Sequence, residues 1–466
     1  MISPVVEGWK QEVLNLARNY VDEHVVFRGT FVNYTPWWGG NFNAVTLNLS
    51  SNKEAYVTSP DPKSIVGKTV WFMRTAFGDY FLNNLGITKG KEKRKSKIAV
   101  VVRSPTLVVN MDDGLDKNGN KVLYFGLKYK DDLISLLNKV NEKIGNKISS
   151  EEERKRRMFD QLCREGGAQA SEYEMLKDFL TVLCIPRVLL RVGGKLMGWY
   201  FKDQSSNGLA QILALLPVRP QTVRFELEVR AAGVEERLVK DFVESLIFTL
   251  NYLGIGSGAN RGFGRFMLEG KPYVPSKINV EYNAEELYRR WSKPPQPKRN
   301  DSFPVIRGIV ELGSLKGGVE EALKCIGDST LKVNWMIIMG PPSRLSERDL
   351  QTWVLGLPRI GYVFLTKNNK RIQRRQSYIV FSLTPQNQGE YKLFAIKFVP
   401  VKLGSELGVI EKAYYVGNRA SKIDISPQNV EKYIEEAMDN VQKYITQVCK
   451  SRSLTAPQGT RTGEGR

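Results

Sequence analysis

Five glycines fall within the eleven residues Gly254-Ile255-Gly256-Ser257-Gly258-Ala259-Asn260-Arg261-Gly262-Phe263-Gly264. Glycine reaches positive φ without a Cβ clash and costs backbone entropy. Such a density is useful where the chain turns tightly or admits a ligand against its N–H groups. Successive N–H groups can cup a phosphate oxygen, and Arg261 and Arg265 add charge and paired donors. Gly256, Ser257, Gly258, Asn260, Arg261 and Arg265 are therefore candidate phosphate contacts. Taken alone, the same pattern suits a structural hinge equally well. It is not a Walker A loop, which ends in Gly-Lys-Ser/Thr, nor a Rossmann fingerprint, because it follows a helical pattern and precedes a strand.

Other residues of the same chemistry lie elsewhere in the chain. Trp37 and Trp38 are adjacent, so in an extended loop they face opposite ways, and one can stack on a base while the other packs in the core. Lys68 and Arg74 flank an apolar helical pattern whose N-terminus could meet a phosphate; an ion pair at the core edge is the plainer role for Arg74. Lys367, Lys370, Arg371, Arg374 and Arg375 join two expected strands, and Arg344 and Arg359 flank an expected helix nearby. Such a basic run is commonly a solvated hairpin, yet five cations on one loop also suit a polyanion.

The whole chain agrees with a polyanionic partner. Its 69 Lys+Arg against 49 Asp+Glu give a formal charge of +20, which attracts nucleic acid first among common polyanions. A solvated Lys/Glu-rich surface is the bland alternative. His24 is the only histidine, which excludes mechanisms needing two imidazoles and His-rich metal sites. Asp112-Asp113 precedes a glycine and suits a turn rather than metal-dependent nuclease chemistry. No cofactor or metal is expected. Cys163, Cys184, Cys325 and Cys449 are widely spaced, and reduced, buried thiols are the expectation. No secretory leader or membrane-length apolar run is visible, so the expected location is the cytoplasm, with no membrane partner.

Apolar periodicity outlines the elements that must carry these residues. Residues 24 to 34 read as a strand, and residues 64 to 85 as a helix with Ser64 as N-cap and Gly86 as stop. Further strands are expected from residue 98, at 187 to 192 and at 223 to 229, with a hairpin turn at 116 to 120 and helical material from 130 to 183. Leu238, Phe242, Leu246, Leu250 and Leu253 form a helical stripe that runs into the glycine loop, followed by a strand from Phe263 to Leu268. This β-α-β-β-α-β order is the ferredoxin-like layout, with residues of about 90–185 as an insertion. Domain one is thus expected over 1–270 and a Pro-rich basic linker over 271–304. A second α+β domain is expected over 305–450, with strands near 305–311, 333–339, 377–384 and 391–399, a helix around 347–355 and a last helix at about 427–449. Residues 451–466 are expected to be disordered.

The loop, with Arg261 immediately before the final Gly-Phe-Gly, resembles the glycine-rich signature of the RAMP superfamily of CRISPR-associated RNA-binding proteins. Four further segments are similar, in order and spacing, to subunit one of the Cmr complex, the type III-B CRISPR effector. They are Thr35-Pro36-Trp37-Trp38-Gly39-Gly40, Gly67-Lys68-Thr69-Val70-Trp71-Phe72-Met73-Arg74, Leu355-Gly356-Leu357-Pro358 and Arg374-Arg375-Gln376-Ser377. The resemblance runs from residue 30 to 385. It implies an α+β protein of two ferredoxin-like domains with helical insertions. It also implies a non-catalytic subunit holding the crRNA 3′ region and the 5′ part of target RNA, with crRNA, target RNA and other Cmr subunits as partners. Cutting is implied for neighbouring subunits. Trp37-Trp38 is bulkier than the usual loop and Ala259-Asn260 replaces a more basic pair, departures that bear on affinity.

Two other readings remain at this stage. One is a metal-free crRNA-processing endoribonuclease using His24 for proton transfer. Against it, about 200 residues follow the glycine loop here, whereas the processing enzymes of this superfamily carry theirs near the C-terminus. The other is a basic protein scaffold without RNA contact.

Overall fold

The computed structural model describes residues 12–13, 24–39, 45–49, 54–78, 84–85, 96–104, 107–110, 130–145, 151–165, 174–294, 304–335, 363–367, 370–372, 377–386, 389–400, 412–415, 422–424 and 427–449. The chain is α+β, and its sheets are antiparallel.

The first unit starts with β1 (Val25–Asn33) and a small sheet of β2 (Leu47–Leu49), β3 (Glu54–Val57) and, later in the chain, β5. Helix α1 (Pro62–Phe77) begins earlier than expected. Asp61 caps it by accepting from the Lys63 N–H at 3.1 Å, and Pro62 fits the first turn because its missing N–H would have no partner there. It also ends earlier, at Gly78, whose φ of +91° closes the last turn. Strands β4 (Ile98–Arg103) and β5 (Val108–Asn110) lead to four helices: α2 (Lys130–Ile144), α3 (Glu151–Glu165), α4 (Glu174–Leu183) and a longer α5. Helix α5 runs from Pro186–Val188 through a π-turn, Leu189–Gly193, into Gly194–Lys202.

The segment 187–192 was expected as a strand and is helical. A short apolar run satisfies either period, and here Val188, Val192 and Leu196 share a buried stripe at helical spacing. Helix α6 (Ser206–Leu213), β6 (Arg224–Ala231), α7 and β7 (Phe266–Tyr273) complete the unit, α7 being Glu236–Phe248 with its π-turn Thr249–Leu253.

Four strands pair in the order β4-β6-β1-β7, the strand order of a β-α-β-β-α-β unit. Register places Phe31 opposite Phe225, and their rings stack at 5.8 Å on the inner face. The span expected as a linker carries the end of β7 and a helix, α8 (Ala284–Ser292). Trp291 anchors α8, fully buried and 5.0 Å from Phe72.

The second unit has β8 (Pro304–Lys316), α9 (Val319–Trp335), β9 (Val363–Lys367), β10 (Lys370–Ile372), β11 (Ile379–Pro385) and β12 (Glu390–Pro400). After these come β13 (Lys412–Tyr415), β14 (Lys422–Asp424) and α10 (Pro427–Tyr444), which ends in a π-turn at Ile445–Cys449. Its main sheet runs β11-β12-β8, and β10-β9-β13-β14 form another. Among the described residues this main sheet has three strands, so the expectation of a second complete ferredoxin-like sheet is met only as far as β-α-β-β-α. The strand expected near 333–339 begins in helix: residues 333–335 close α9, and the rest, like the expected turn at 116–120 and helix at 347–355, lies outside the described residues.

Helices α1, α7 and α8 lie against the second sheet. Trp71 meets Phe398 at 4.7 Å, and Tyr252 and Tyr288 meet Phe394 at 6.3 and 5.0 Å. The thiols expected to be reduced are instead paired, Cys163 with Cys184 and Cys325 with Cys449, at Cα separations of 5.6 and 5.9 Å. Folding brings together cysteines that are 21 and 124 residues apart, which linear spacing does not reveal. No described helix is long and apolar enough to cross a membrane.

Candidate nucleic-acid interface

The glycine loop joins the π-turn of α7 to β7, and most of its backbone is used internally. Gly254 N–H donates to Thr249 O at 2.7 Å, Ile255 to Gly264 at 3.0 Å, Ser257 to Trp38 at 2.9 Å and Gly264 to Pro36 at 3.0 Å. All five glycines have positive φ, between +62° and +95°. A Cβ at Gly256 would come within 2.5 Å of the Trp38 carbonyl, and one at Gly262 within 2.6 Å of the Leu383 side chain. Glycine is required here by backbone conformation and by close packing together.

The loop also reaches the second unit. Phe381 N–H donates to Asn260 O at 3.2 Å, and Arg261 forms a parallel bridge with Phe381. The edge of β11 is thus covered by the first unit, which removes an open strand edge.

The two arginines expected to meet phosphate point into this seam. Arg265 is fully buried: its Nη2 donates to Phe381 O at 2.7 Å, its Nη1 to Phe263 O at 2.9 Å and its Nε to Ser382 Oγ at 3.1 Å. Burial pushes its pKa down to about 10. Arg261 is 3% exposed, with its guanidinium 5.4 Å over the Phe381 ring. Burial, and then the charge of Arg187, lower its pKa well below the ordinary arginine range. As placed, both arginines serve the seam and not the surface. A guanidinium satisfies several carbonyl acceptors at once, which is why arginine suits that position.

Trp37 and Trp38 are core residues, 3% and 2% exposed. The Trp37 Nε1 donates to Thr58 O at 2.7 Å and the Trp38 Nε1 to Leu215 O at 2.9 Å, so neither ring presents a face to a base. Lys68 sits in the second turn of α1, because the helix starts at Pro62, and is therefore set back from the N-terminal amides. Its Nζ lies 4.6 Å over the Trp71 ring, and burial, with the charge of Arg265, pushes its pKa down to about 7. Arg74 is half-buried in the last turn of α1. Arg371 lies in β10, paired in register with Thr366 of β9. Arg344, Arg359, Arg374 and Arg375 lie outside the described residues. His24 precedes β1, and its carbonyl accepts from the Ala231 N–H at 2.9 Å.

What remains at the surface is the tip of the loop, residues 256–260, which is half-buried. Among the described residues no carbonyl accepts from the N–H groups of Gly258, Ala259 or Asn260. Three successive amides of this kind can cup an anion where they converge. Beside them runs α5, which the sequence reading missed as a helix and so missed as a source of charge. Arg191 Nη1 lies 3.3 Å from Ser257 Oγ, and its guanidinium is 5.0 Å over Trp38; Arg187 is one turn before it and the exposed Lys195 one turn after. The spacing of four between residues 187, 191 and 195 was the available signal, legible only once the segment is read as helix.

The outer face of the four-stranded sheet is different in character. Glu228 accepts from both Arg28 and Arg230, at 2.8 and 2.5 Å; Arg224 pairs with Glu269 at 2.6 Å, and Arg103 with Glu226 at 3.6 Å. Carboxylates pair with the arginines on that face. Among the described residues no group of His, Cys, Asp and Glu is placed to hold a metal ion.

No family model matches this chain, and no curated protein matches it. Among solved structures it is similar to a chain of the type III-B Cmr-beta complex bound to cognate target RNA and AMPPnP in the presence of single-stranded DNA. The identity is 13% and the TM-score 0.45, over 90% of this chain and 100% of that one. It is also similar to Cmr1 from Pyrococcus furiosus in its apo form, at 14% identity and TM-score 0.40, over 88% and 96% of the two chains. A chain of Cmr-beta bound to cognate target RNA is similar at 12% identity and TM-score 0.40, over 91% and 100%.

Proposed function

We propose that this chain is a non-catalytic, RNA-binding subunit of a type III-B CRISPR (Cmr) ribonucleoprotein, holding the crRNA 3′ region and the 5′ part of target RNA. The observation that carries the reading is the half-buried tip of the glycine loop. There the amides of Gly258, Ala259 and Asn260 stand beside Arg191, within a chain of net charge +20. Amides and cations of this sort bind phosphate without reading bases, as a protein does when sequence is read by guide pairing. The segment likenesses between residues 30 and 385 supply the assignment to the Cmr complex and its other subunits as partners.

In this reading the loop has two parts. Arg261, Arg265 and the glycines fix the seam between units, and the tip meets phosphate. A guide–target duplex titrated against the purified chain tests it: salt-sensitive binding is expected, and a folded chain that binds neither guide nor duplex at low salt contradicts it.

The scaffold reading without RNA contact has one observation in its favour, the burial of Arg261 and Arg265. It predicts purified protein whose absorbance at 260 nm is unchanged by RNase.

A further inference from the structure

A groove of about 810 Å³ opens on the first unit between β2, the later part of α5, and α6. Its floor is apolar: Leu47, Trp199, Ile212 and Leu215 are all buried. Its rim carries the exposed side chains of Asn48, Lys195 and Gln211, with Leu49 exposed beside them. Clefts of this size, with an apolar floor and a few polar groups at the rim, are the usual form of a small-ligand site.

The groove is joined to the glycine loop by direct bonds. Trp38, whose carbonyl accepts from Ser257 N–H, donates through its indole to Leu215 O on the groove floor. Lys195 at the rim is one turn of α5 from Arg191, which reaches Ser257. Arg191 and Lys195 thus set two cations along α5 between the loop tip and the mouth of the groove.

Gly198 lines the groove from the interior of α5. A glycine inside a helix costs stability, and this one has no offsetting role in backbone or packing. Its φ is not among the positive values, and a Cβ there would meet no atom within 4 Å. Its effect is to leave the groove open where a side chain would project into it. Asp203 stands at the other end, accepting from the Ser205 hydroxyl at 2.7 Å, and its charge disfavours a phosphate there. The groove thus has a cationic end and an anionic end.

We infer that this groove receives an unpaired nucleotide of a single-stranded RNA, with its phosphate against Lys195, its base on the apolar floor, and the Asn48 and Gln211 carboxamides at the base edges. The inference rests on the RNA-holding reading above and adds to it a contact that a paired base cannot make, because the base must leave its stack to enter. Carboxamides present both a donor and an acceptor, which suits the edge of an unpaired base.

Gly198→Phe fills the groove at a position with open space and raises helix propensity, so the fold is expected to persist. Binding of a fluorescein-labelled single-stranded RNA to the full chain is measured by anisotropy, beside the same RNA carrying abasic residues, with thermal melting of each protein. The expected result is at least tenfold weaker binding of intact RNA by Gly198→Phe, with an undiminished melting temperature and no further loss when the RNA is abasic. Equal affinity of wild type and Gly198→Phe for intact RNA, or an equal loss on both RNAs, overturns the inference and leaves the groove to a protein partner. If wild type binds neither RNA, the RNA-holding reading falls and the groove assignment with it; if it binds both alike, only the groove assignment falls.

Discussion

The guanidinium of Arg265 donates to the carbonyl of Phe381 at 2.7 Å, across 116 residues of chain. One residue of the first unit thereby satisfies the edge of β11 in the second, and the same side chain bonds Phe263 and Ser382. Nearby, Tyr34 Oη bonds Leu383 O at 3.2 Å and also the Asn251 carbonyl. The glycine loop can approach β11 this closely because Gly262 has no side chain to meet Leu383 and Leu323.

Arg265→Met is expected to lower stability by about 3 kcal/mol, since two buried carbonyls and a hydroxyl lose their donor. Arg265→Lys should recover less than half of this, because one ammonium cannot reach three separated acceptors in the guanidinium geometry. Urea denaturation checks both, and a loss under about 1 kcal/mol for the methionine variant counts against the seam as described.

Two glycines of similar φ separate conformational cost from packing cost. Gly270 has φ +69° with open space around it, while Gly264 has φ +62° with the Ile255 carbonyl where a Cβ would lie. Gly270→Ala should cost about 1 kcal/mol, and Gly264→Ala at least about 3 kcal/mol or no folded protein. Equal melting temperatures for the two variants would show that the loop is not closely packed at Gly264.

Lys68 makes stability depend on pH. Its folded pKa is about 7, against 10.5 for an ordinary lysine. Between these values the unfolded chain binds the proton and the folded chain does not, so folding releases a proton and stability rises with pH through that window. Below about 7 both states are charged, and the folded state bears the full cost of burying the ammonium. Lys68→Met should therefore be more stable than wild type near pH 6 and should flatten the rise from pH 7 to 10.5. Denaturant midpoints across that range decide it; an unchanged slope in the variant removes Lys68 as the cause.

Reduction should destabilise the chain unequally at its two disulfides. Loop-closure entropy alone predicts about 3 kcal/mol for a loop the size of Cys163–Cys184 and about 5 kcal/mol for one the size of Cys325–Cys449. Cys449→Ala is expected to lower the melting temperature more than Cys184→Ala, and a thiol reductant should bring wild type below both. The reverse ranking would show that the 124-residue span closed by Cys325 and Cys449 is already compact when unfolded.

The first unit was legible because long periodic segments carry it: the stripe from Leu238 to Leu253 is α7, and the strands around Phe27 and Phe225 are β1 and β6. The start of α1 was missed because Asp61-Pro62 outcompetes Ser64 as a cap. Helix α5 was missed because Arg187–Val192, four apolar residues and two arginines, fits either period, and with it went the helical spacing of Arg191 and Lys195. The glycine loop is plain in the sequence, but a pattern of glycine and arginine reads the same whether the arginines face phosphate or a neighbouring strand. Only the three-dimensional partner, β11, separates the two, and that contact spans more than a hundred residues.

The most direct measurement is the salt dependence of RNA affinity for wild type and for the double variant Arg191→Gln with Lys195→Gln. Both residues lie on α5 outside the seam, so folding should survive, as melting will verify. Single-stranded RNA binding is expected to weaken, and the slope of log affinity against log salt to become shallower by about 1.4, the value for two lost phosphate contacts. Unchanged affinity and slope in a folded double variant would contradict the assignment of this face to RNA.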